Sequence, residues 1–343
     1  MVDASGGSVS VVGEGEGPAW SRDGRLTFFG RDGIMVARSD GSGARLALHR
    51  TMGAFYRDFA WFPNGRGLIF SRTVYDNRSE LFTMREDGTS LRPPTHQRHA
   101  VDPSWSPNGR LLAFTRVFAA GNREIALVRA EGSHLRTVTR NQYAWDWQPT
   151  WSPDGTRIAF VRFTLWGVGT LYVLRIDERR AHPLGALDRP YHPAWSPDGR
   201  RIAVDGLRNS QTPGIRLVDA QTGAVEEVTH PAYGYDRAAA WSPDGRRLVF
   251  VRRYSGGSIG SQEVWVVTLG GDAQQIADDY GPDPLHADFV RWSPEGTRIA
   301  AAGWLGSDFG GPPAVVTMRP DGTHRQVIWK KGRYLTGLSW APR

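Results

Sequence analysis

The chain has no cysteine. Disulfides, a thiol nucleophile and thiolate metal sites are therefore excluded. Only two residues are lysine, Lys330 and Lys331, so the net charge of +7 is carried by arginine. No apolar run approaches the roughly 18–20 residues that span a bilayer, so no membrane-spanning helix is expected. The opening Met1-Val2-Asp3-Ala4-Ser5-Gly6-Gly7 has neither the basic start nor the apolar core of a signal peptide. No stretch sustains a helical period. Phosphate loops, dinucleotide fingerprints and carboxylate pairs at diagnostic spacing are missing as well.

What recurs is a short phrase. Trp-Ser-Pro-Asp-Gly stands at Trp151, Trp195 and Trp241, with looser copies at Trp20, Trp61, Trp105 and Trp292 and a truncated one at Trp340. Successive tryptophans are 41, 44, 46, 44, 46, 51 and 48 residues apart. A period of about 40–50 residues marks a stacked or radial repeat, in which no single unit buries a core alone. The physical reading of one unit supports this. Residues 148–152 are extended, and Pro153-Asp154-Gly155 is a turn, because Pro presets φ and Gly accepts positive φ. Arg157 to Arg162 is rich in β-formers, as is Thr170 to Arg175, and Ala181 to Leu184 supplies a short fourth strand. Four antiparallel strands per step, repeated radially, make a β-propeller. The whole of 1–343 is expected to be one propeller domain of seven blades, with Ser8–Val12 and Leu338–Pro342 pairing near the seam. Eight blades with one incomplete, or a chain cut from something longer, are the alternatives. The recurring Trp is expected to pack between neighbouring blades.

The Trp-Ser-Pro-Asp-Gly phrase, followed by a strand that ends in an aromatic, resembles the TolB-like propeller repeat, a distant cousin of the WD repeat. The resemblance covers essentially the whole chain. It implies the fold, but it leaves the activity open. Such propellers occur in the periplasmic Tol–Pal component, before serine-peptidase domains and in some polysaccharide lyases, and 1–343 leaves no room for an appended hydrolase domain. No separate N-terminal α/β domain precedes Trp20, so the likeness to the Tol–Pal component is incomplete.

In a propeller the inner strands line a central channel, and the loops entering them share one face. The Pro-Asp-Gly turns repeat and read as structure; the entry loops differ from blade to blade, as a site on a repeated scaffold should. The residues before each Trp include Tyr56, Arg57 and Asp58; His99 and Asp102; Trp145, Asp146 and Trp147; Tyr191 and His192; Tyr235, Asp236 and Arg237; His286 and Asp288; and finally Tyr334. Rings that stack, with carboxylates and guanidiniums that hydrogen-bond, suit a polar ligand at the channel mouth. The same residue types also serve as loop anchors and inter-blade ion pairs. His99, His192 and His286, with Asp58, Asp102 and Asp288 near them, raise a divalent metal as a weaker reading, and otherwise no cofactor is implied.

Three other motifs carry little. Gly256-Gly257-Ser258-Ile259-Gly260 matches the hydrolase G-x-S-x-G pattern but lies between two strands, not on a strand-to-helix elbow. Ser152-Pro153-Asp154-Gly155 departs from the sialidase Asp box, whose Gly does not follow Asp directly. Asn77-Arg78-Ser79 is a formal glycosylation sequon that reads as chance. The arginines are spread through every repeat, many directly after the turn Gly (Arg25, Arg66, Arg110, Arg200, Arg246), and read as solvated turn residues instead of a nucleic-acid footprint. The leading expectation is a monomeric, non-enzymatic propeller that holds a protein, peptide or glycan at the channel mouth, in the periplasm or secreted. A carbohydrate hydrolase or lyase using Asp58, Asp102, Asp236, Asp288 and His192, a Tol–Pal-like envelope partner, and a cytoplasmic location are the alternatives.

Overall fold

The computed structural model describes residues 18–330 apart from 31, 39, 53, 74–78, 95–98, 119–120, 142, 165, 179, 186, 188, 206–213, 255–261, 279–284 and 306–312. Among the described residues every regular element is a strand, 27 in all. Ala144–Trp151, Arg157–Thr164, Gly169–Arg175 and Ala181–Pro183 run as one antiparallel meander, each strand paired with the next. The same up-and-down order recurs in sheets along the whole described chain. One sheet of eight strands is two such meanders joined by a single parallel pair, Arg123 with Trp145. This is an all-β propeller of small antiparallel sheets. Ser8–Val12, the Trp340 segment, Tyr334, the Gly256–Gly260 motif, Asn77 and Arg78 lie outside the described residues.

The same backbone bond, from the Gly amide to the carbonyl three residues before it, closes the turn of the recurring phrase each time. In Ser152-Pro153-Asp154-Gly155 the Gly155 amide donates to the Ser152 carbonyl, the Ser152 hydroxyl donates to Asp154 at 2.5 Å, and the Arg157 amide donates back to that hydroxyl at 3.0 Å. Gly155 sits at φ 70°, where a side chain would be strained. The Trp joins sheets. Trp61, Trp151, Trp195 and Trp241 each donate Nε1–H to the carbonyl of the residue just before the preceding repeat's Trp, namely Ala19, Ser104, Thr150 and Ala194, at 3.0–3.1 Å. Apolar clusters likewise draw on two successive sheets. Ile69 and Leu81 of one pack with Trp105, Leu112 and Phe114 of the next. Neither sheet would keep its inner face dry alone.

Two details depart from the sequence reading. The unit after Trp61 has three strands, Phe55–Trp61, Gly67–Thr73 and Ser79–Arg85, and only an isolated bridge, Thr83 with Arg92, where a fourth was expected. Pro93 and Pro94 follow immediately and have no N–H to extend a ladder. Arg25, expected to be a solvated turn residue, donates to the Gly65 carbonyl at 2.7 Å and lies over the Trp61 ring, so it too bridges sheets.

Candidate functional site

Five inner strands carry a kink three residues before their Trp. Asp58, Asp102, Gln148, His192 and Ala238 all have φ between 46° and 57°. Each falls where the register to the second strand slips. Such a bulge re-aims a side chain and leaves an amide outside the ladder. The freed amides are used between repeats. Gln148 N–H donates to Asp102 at 3.4 Å, His192 N–H to the Gln148 side chain at 2.9 Å, and Ala238 N–H to Asp205 at 2.5 Å. In three of these repeats, the residue 13 positions later on the second strand answers the bulge residue. The Ser71 hydroxyl donates to Asp58 at 2.7 Å, the Thr115 hydroxyl to Asp102 at 2.9 Å, and His192 Nδ1 meets Asp205 at 2.8 Å. Where the bulge residue is Gln148 or Ala238, the corresponding residue is Val161 or Val251. The result is a belt of hydrogen bonds linking four successive repeats, built from candidate residues and their unforeseen partners.

Asp102 is the most perturbed of them. Burial among protein atoms, and then the charge of Asp58, push its carboxyl up to about 6, against the Thr115 hydroxyl, the Gln148 amide and the Arg123 guanidinium. Arg123 opens the third strand of the same meander, Arg123–Arg129. Its guanidinium lies 3.4 Å from the Trp147 ring centroid, and burial lowers its pKa while Asp102 opposes that shift. Asp102, Arg123 and Trp147 therefore form one cluster at the seam between two meanders. A cation held over a ring in this way is oriented as well as stabilised.

Other candidates are committed elsewhere. Asp146 is fully buried and takes both Nε and Nη2 of Arg162, at 2.7 and 2.9 Å, together with the Asn141 amide at 2.6 Å. Asp236, also fully buried, takes Arg252 bidentately at 2.7 and 2.9 Å and the Thr229 hydroxyl at 2.5 Å. Arg162 and Arg252 lie in turn over Tyr172 and Trp265, and both have raised pKa values: the hydrogen bonds and charges of their partners outweigh desolvation, the largest cause and an opposing one. Asp146–Arg162 and Asp236–Arg252 are each cross-strand pairs within one meander, not the inter-blade pairs that the sequence left open. Tyr56 is a core residue between Phe29 and Phe70, its hydroxyl bonded to Thr51 at 3.0 Å. His286 is buried. Tyr191 is half-buried, 4.7 Å from the Phe163 ring, and burial raises its phenol pKa. Trp145, Tyr235 and Arg237 are half-buried in their inner strands, as His99 is just before Ala100–Trp105. Arg57 is placed by its backbone in Phe55–Trp61. Asp288 is half-buried in Leu285–Trp292. His99 and His286 stand six residues before their Trp and His192 three, so the three histidines do not share one level. Among the described residues no group of three or more His, Asp or Glu side chains gathers to hold a metal.

Two further sets of residues stand out in the structure. One precedes each Trp directly: Ala60, Ser104, Thr150, Ala194 and Ala240 are small or short, whereas Arg291 is a guanidinium. Arg291 is solvent-accessible yet surrounded by protein, and desolvation lowers its pKa. The other set is exposed and apolar. Met52, Tyr143 and Tyr233 stand before inner strands, and Trp166 and Val168 lie between Arg157–Thr164 and Gly169–Arg175; all five are more than half exposed.

The belt and the meanders define a β-propeller. In fold the chain is like TolB and other propellers. It is similar to TolB from Acinetobacter baumannii, at 17% identity over 94% of this chain and 80% of that one, with a TM-score of 0.56. It is also similar to an oligogalacturonate lyase in complex with manganese, at 13% identity over 93% and 86% of the two chains, with a TM-score of 0.66. A third similarity is to a prolyl endopeptidase, at 14% identity and a TM-score of 0.69; it covers 94% of this chain and 50% of that one. At these identities the likeness is one of fold. No family model and no curated protein sequence matches the chain.

Proposed function

We propose that the protein is a seven-bladed binding propeller that holds a protein or peptide ligand on the face formed by its entry loops. The observation that carries this is where exposed apolar side chains lie. Of the eight large hydrophobic residues exposed among the described ones, Met52, Tyr143, Trp166, Val168 and Tyr233 stand in loops of that one face. Aromatic rings exposed at 72% (Tyr143), 80% (Tyr233) and 89% (Trp166) cost solvation free energy unless a partner covers them. Behind them the Asp102, Arg123 and Trp147 cluster offers an oriented cation and a carboxylate for polar contacts. The blade count rests on the seven inner strands that end at or next to the phrase Trp, from Ala19–Trp20 to Leu285–Trp292. A periplasmic location rests on the resemblance to the Tol–Pal component.

A carbohydrate-active reading is less well supported. General acid–base work needs carboxylates free to exchange protons. Asp146 and Asp236 are instead each clamped by a guanidinium, and Asp205 holds His192.

The test is selection of displayed peptides against the whole chain, followed by Tyr143→Ala/Trp166→Ala and Tyr233→Ala. Losing two such rings is expected to weaken the selected peptides at least tenfold. Peptides that bind both variants as tightly as the parent would remove the entry-loop face from the proposal.

A further inference from the structure

A continuous trough runs round the outer edge of one meander, Ala100–Trp105, Leu111–Val117, Arg123–Arg129 and Arg136–Thr137. Three grooves make it. The first, toward the following meander, is lined by Arg136, Thr137, Arg140 and Arg180. The second shares Leu127 and Arg136 with it. The third shares Asn108, Gly109, Ala130 and Glu131 with the second and reaches Arg92. The trough exists because the outer strands here are short: Arg136–Thr137 has two residues, and the preceding unit has only the bridge at Arg92.

Its lining is predominantly basic. Arg92, Arg110, Arg129, Arg136, Arg140 and Arg180 are all exposed, and none has a carboxylate within ion-pair distance among the described residues. The two acids on the lining are engaged. Glu131 accepts the Ser133 hydroxyl at 2.6 Å, and Glu178 meets Arg175 at 3.0 Å and His182 at 3.5 Å. Like charges lining a concave surface concentrate counter-charge there, and guanidinium forks match carboxylates bidentately.

The trough's rings are not free to stack on bases. Phe62 packs edge-on to Trp105 at 4.7 Å, Trp105 is 9% exposed, and Tyr172 is covered by Arg162 at 4.2 Å. Single-stranded nucleic acid binding relies on such platforms. What the trough does offer is main chain, because Arg136–Thr137 is the outermost strand of its sheet. An extended peptide adds to such an edge, with alternate side chains facing the sheet's neighbours.

We propose that this trough binds an acidic segment of a partner protein, laid down as an extra strand beside Arg136–Thr137. Fluorescence anisotropy of the whole chain with a fluorescein-labelled (Glu-Val)4 peptide tests it. Saturable binding is expected, absent for (Gln-Val)4 and weakened at least tenfold by Arg129→Glu/Arg136→Glu. Arg200→Glu/Arg246→Glu, an equal charge change on exposed turns outside the lining, should leave it within twofold. A (Glu-Val)4 peptide N-methylated at alternate residues should bind at least tenfold more weakly. Should the charge-reversed protein not fold, Arg129→Gln/Arg136→Gln replaces it. The proposal is overturned by no binding, by equal losses in trough and turn variants, by full binding of the N-methylated peptide, or by tighter binding of labelled oligodeoxythymidylate through the same arginines.

Discussion

Replacing Asp236 by Ala should destabilise the fold by about 3–5 kcal/mol, the usual consequence of stranding one member of a buried ion pair. The structure places the loss in that range for definite reasons. Asp236 is fully buried and the Arg252 side chain is 11% exposed, so water cannot replace the lost carboxylate. Two charge-assisted bonds and the 2.5 Å Thr229 hydroxyl bond go together. Arg252 is also packed over the Trp265 ring at 4.3 Å and cannot swing out without leaving that contact. Urea unfolding followed by tryptophan fluorescence and by circular dichroism measures the loss, and coincident transitions license a two-state reading. The reasoning is refined by a cycle of Asp236→Ala, Arg252→Ala and the double variant. Removing both partners should cost about 2 kcal/mol less than the two single losses added together, because no charge is then left unpaired. Additivity within about 0.5 kcal/mol would refute the claim that the two groups act as one clamp. A loss under about 1 kcal/mol from Asp236→Ala alone would refute its structural role and return it to the pool of ligand-binding groups.

The remaining predictions concern the Trp bond and the carboxyl at the seam. Trp195→Phe should cost about 1 kcal/mol more than Trp292→Phe, the net worth of one hydrogen bond. Both rings carry an arginine at 4.6–4.7 Å, but only Trp195 donates to a carbonyl among the described residues; equal urea midpoints would show that the bond contributes nothing. Asp102 has a folded pKa of about 6, above that of a free aspartate, so the folded state holds its proton longer than the unfolded chain. Ionising it therefore opposes folding, and stability should fall as pH rises from about 4 to about 6 and level off above. Asp102→Asn should flatten that slope in thermal melts between pH 4.5 and 7.5, and an unchanged slope would exclude Asp102 as its source.

Much of the fold is legible in the sequence because its determinants are local and repeated. Ser152, Asp154 and Gly155 close their turn within a few residues, and Trp61, Trp151, Trp195 and Trp241 each find a carbonyl one repeat back, so both signals follow the period. What was not legible is where the repeat is interrupted. Pro93-Pro94 stands after Arg92 in plain view, yet its effect depends on which strand Arg92 would have extended, and the period alone does not say. Arg25 illustrates a second limit. Its position after a turn Gly reads as solvated, but the neighbouring repeat brings Trp61 and the Gly65 carbonyl to it.

The site was legible at one end of each bond and not at the other. Looking just before each Trp found Asp58, Asp102 and His192, whose types vary as a site's should. It could not separate them from Asp146 and Asp236, two positions further back, because a carboxylate clamped by Arg162 or Arg252 and one facing the channel are the same letter. The separating signal lies on the second strand. Ser71, Thr115 and Asp205 stand 13 residues after their bulge partners, and valine takes that place where the bulge residue is Gln148 or Ala238. A polar residue in a buried strand that is apolar in sister repeats implies a polar partner, since an unpaired one costs about 1–3 kcal/mol. Aligning the repeats against each other, and not only to the tryptophan, therefore exposes the belt. Once the belt is assigned, Asp102 stands apart as the carboxyl that its neighbours least favour ionising. Arg123 and Trp147 stand beside it at the seam between two meanders, which is why the proposed ligand's polar contacts are assigned there.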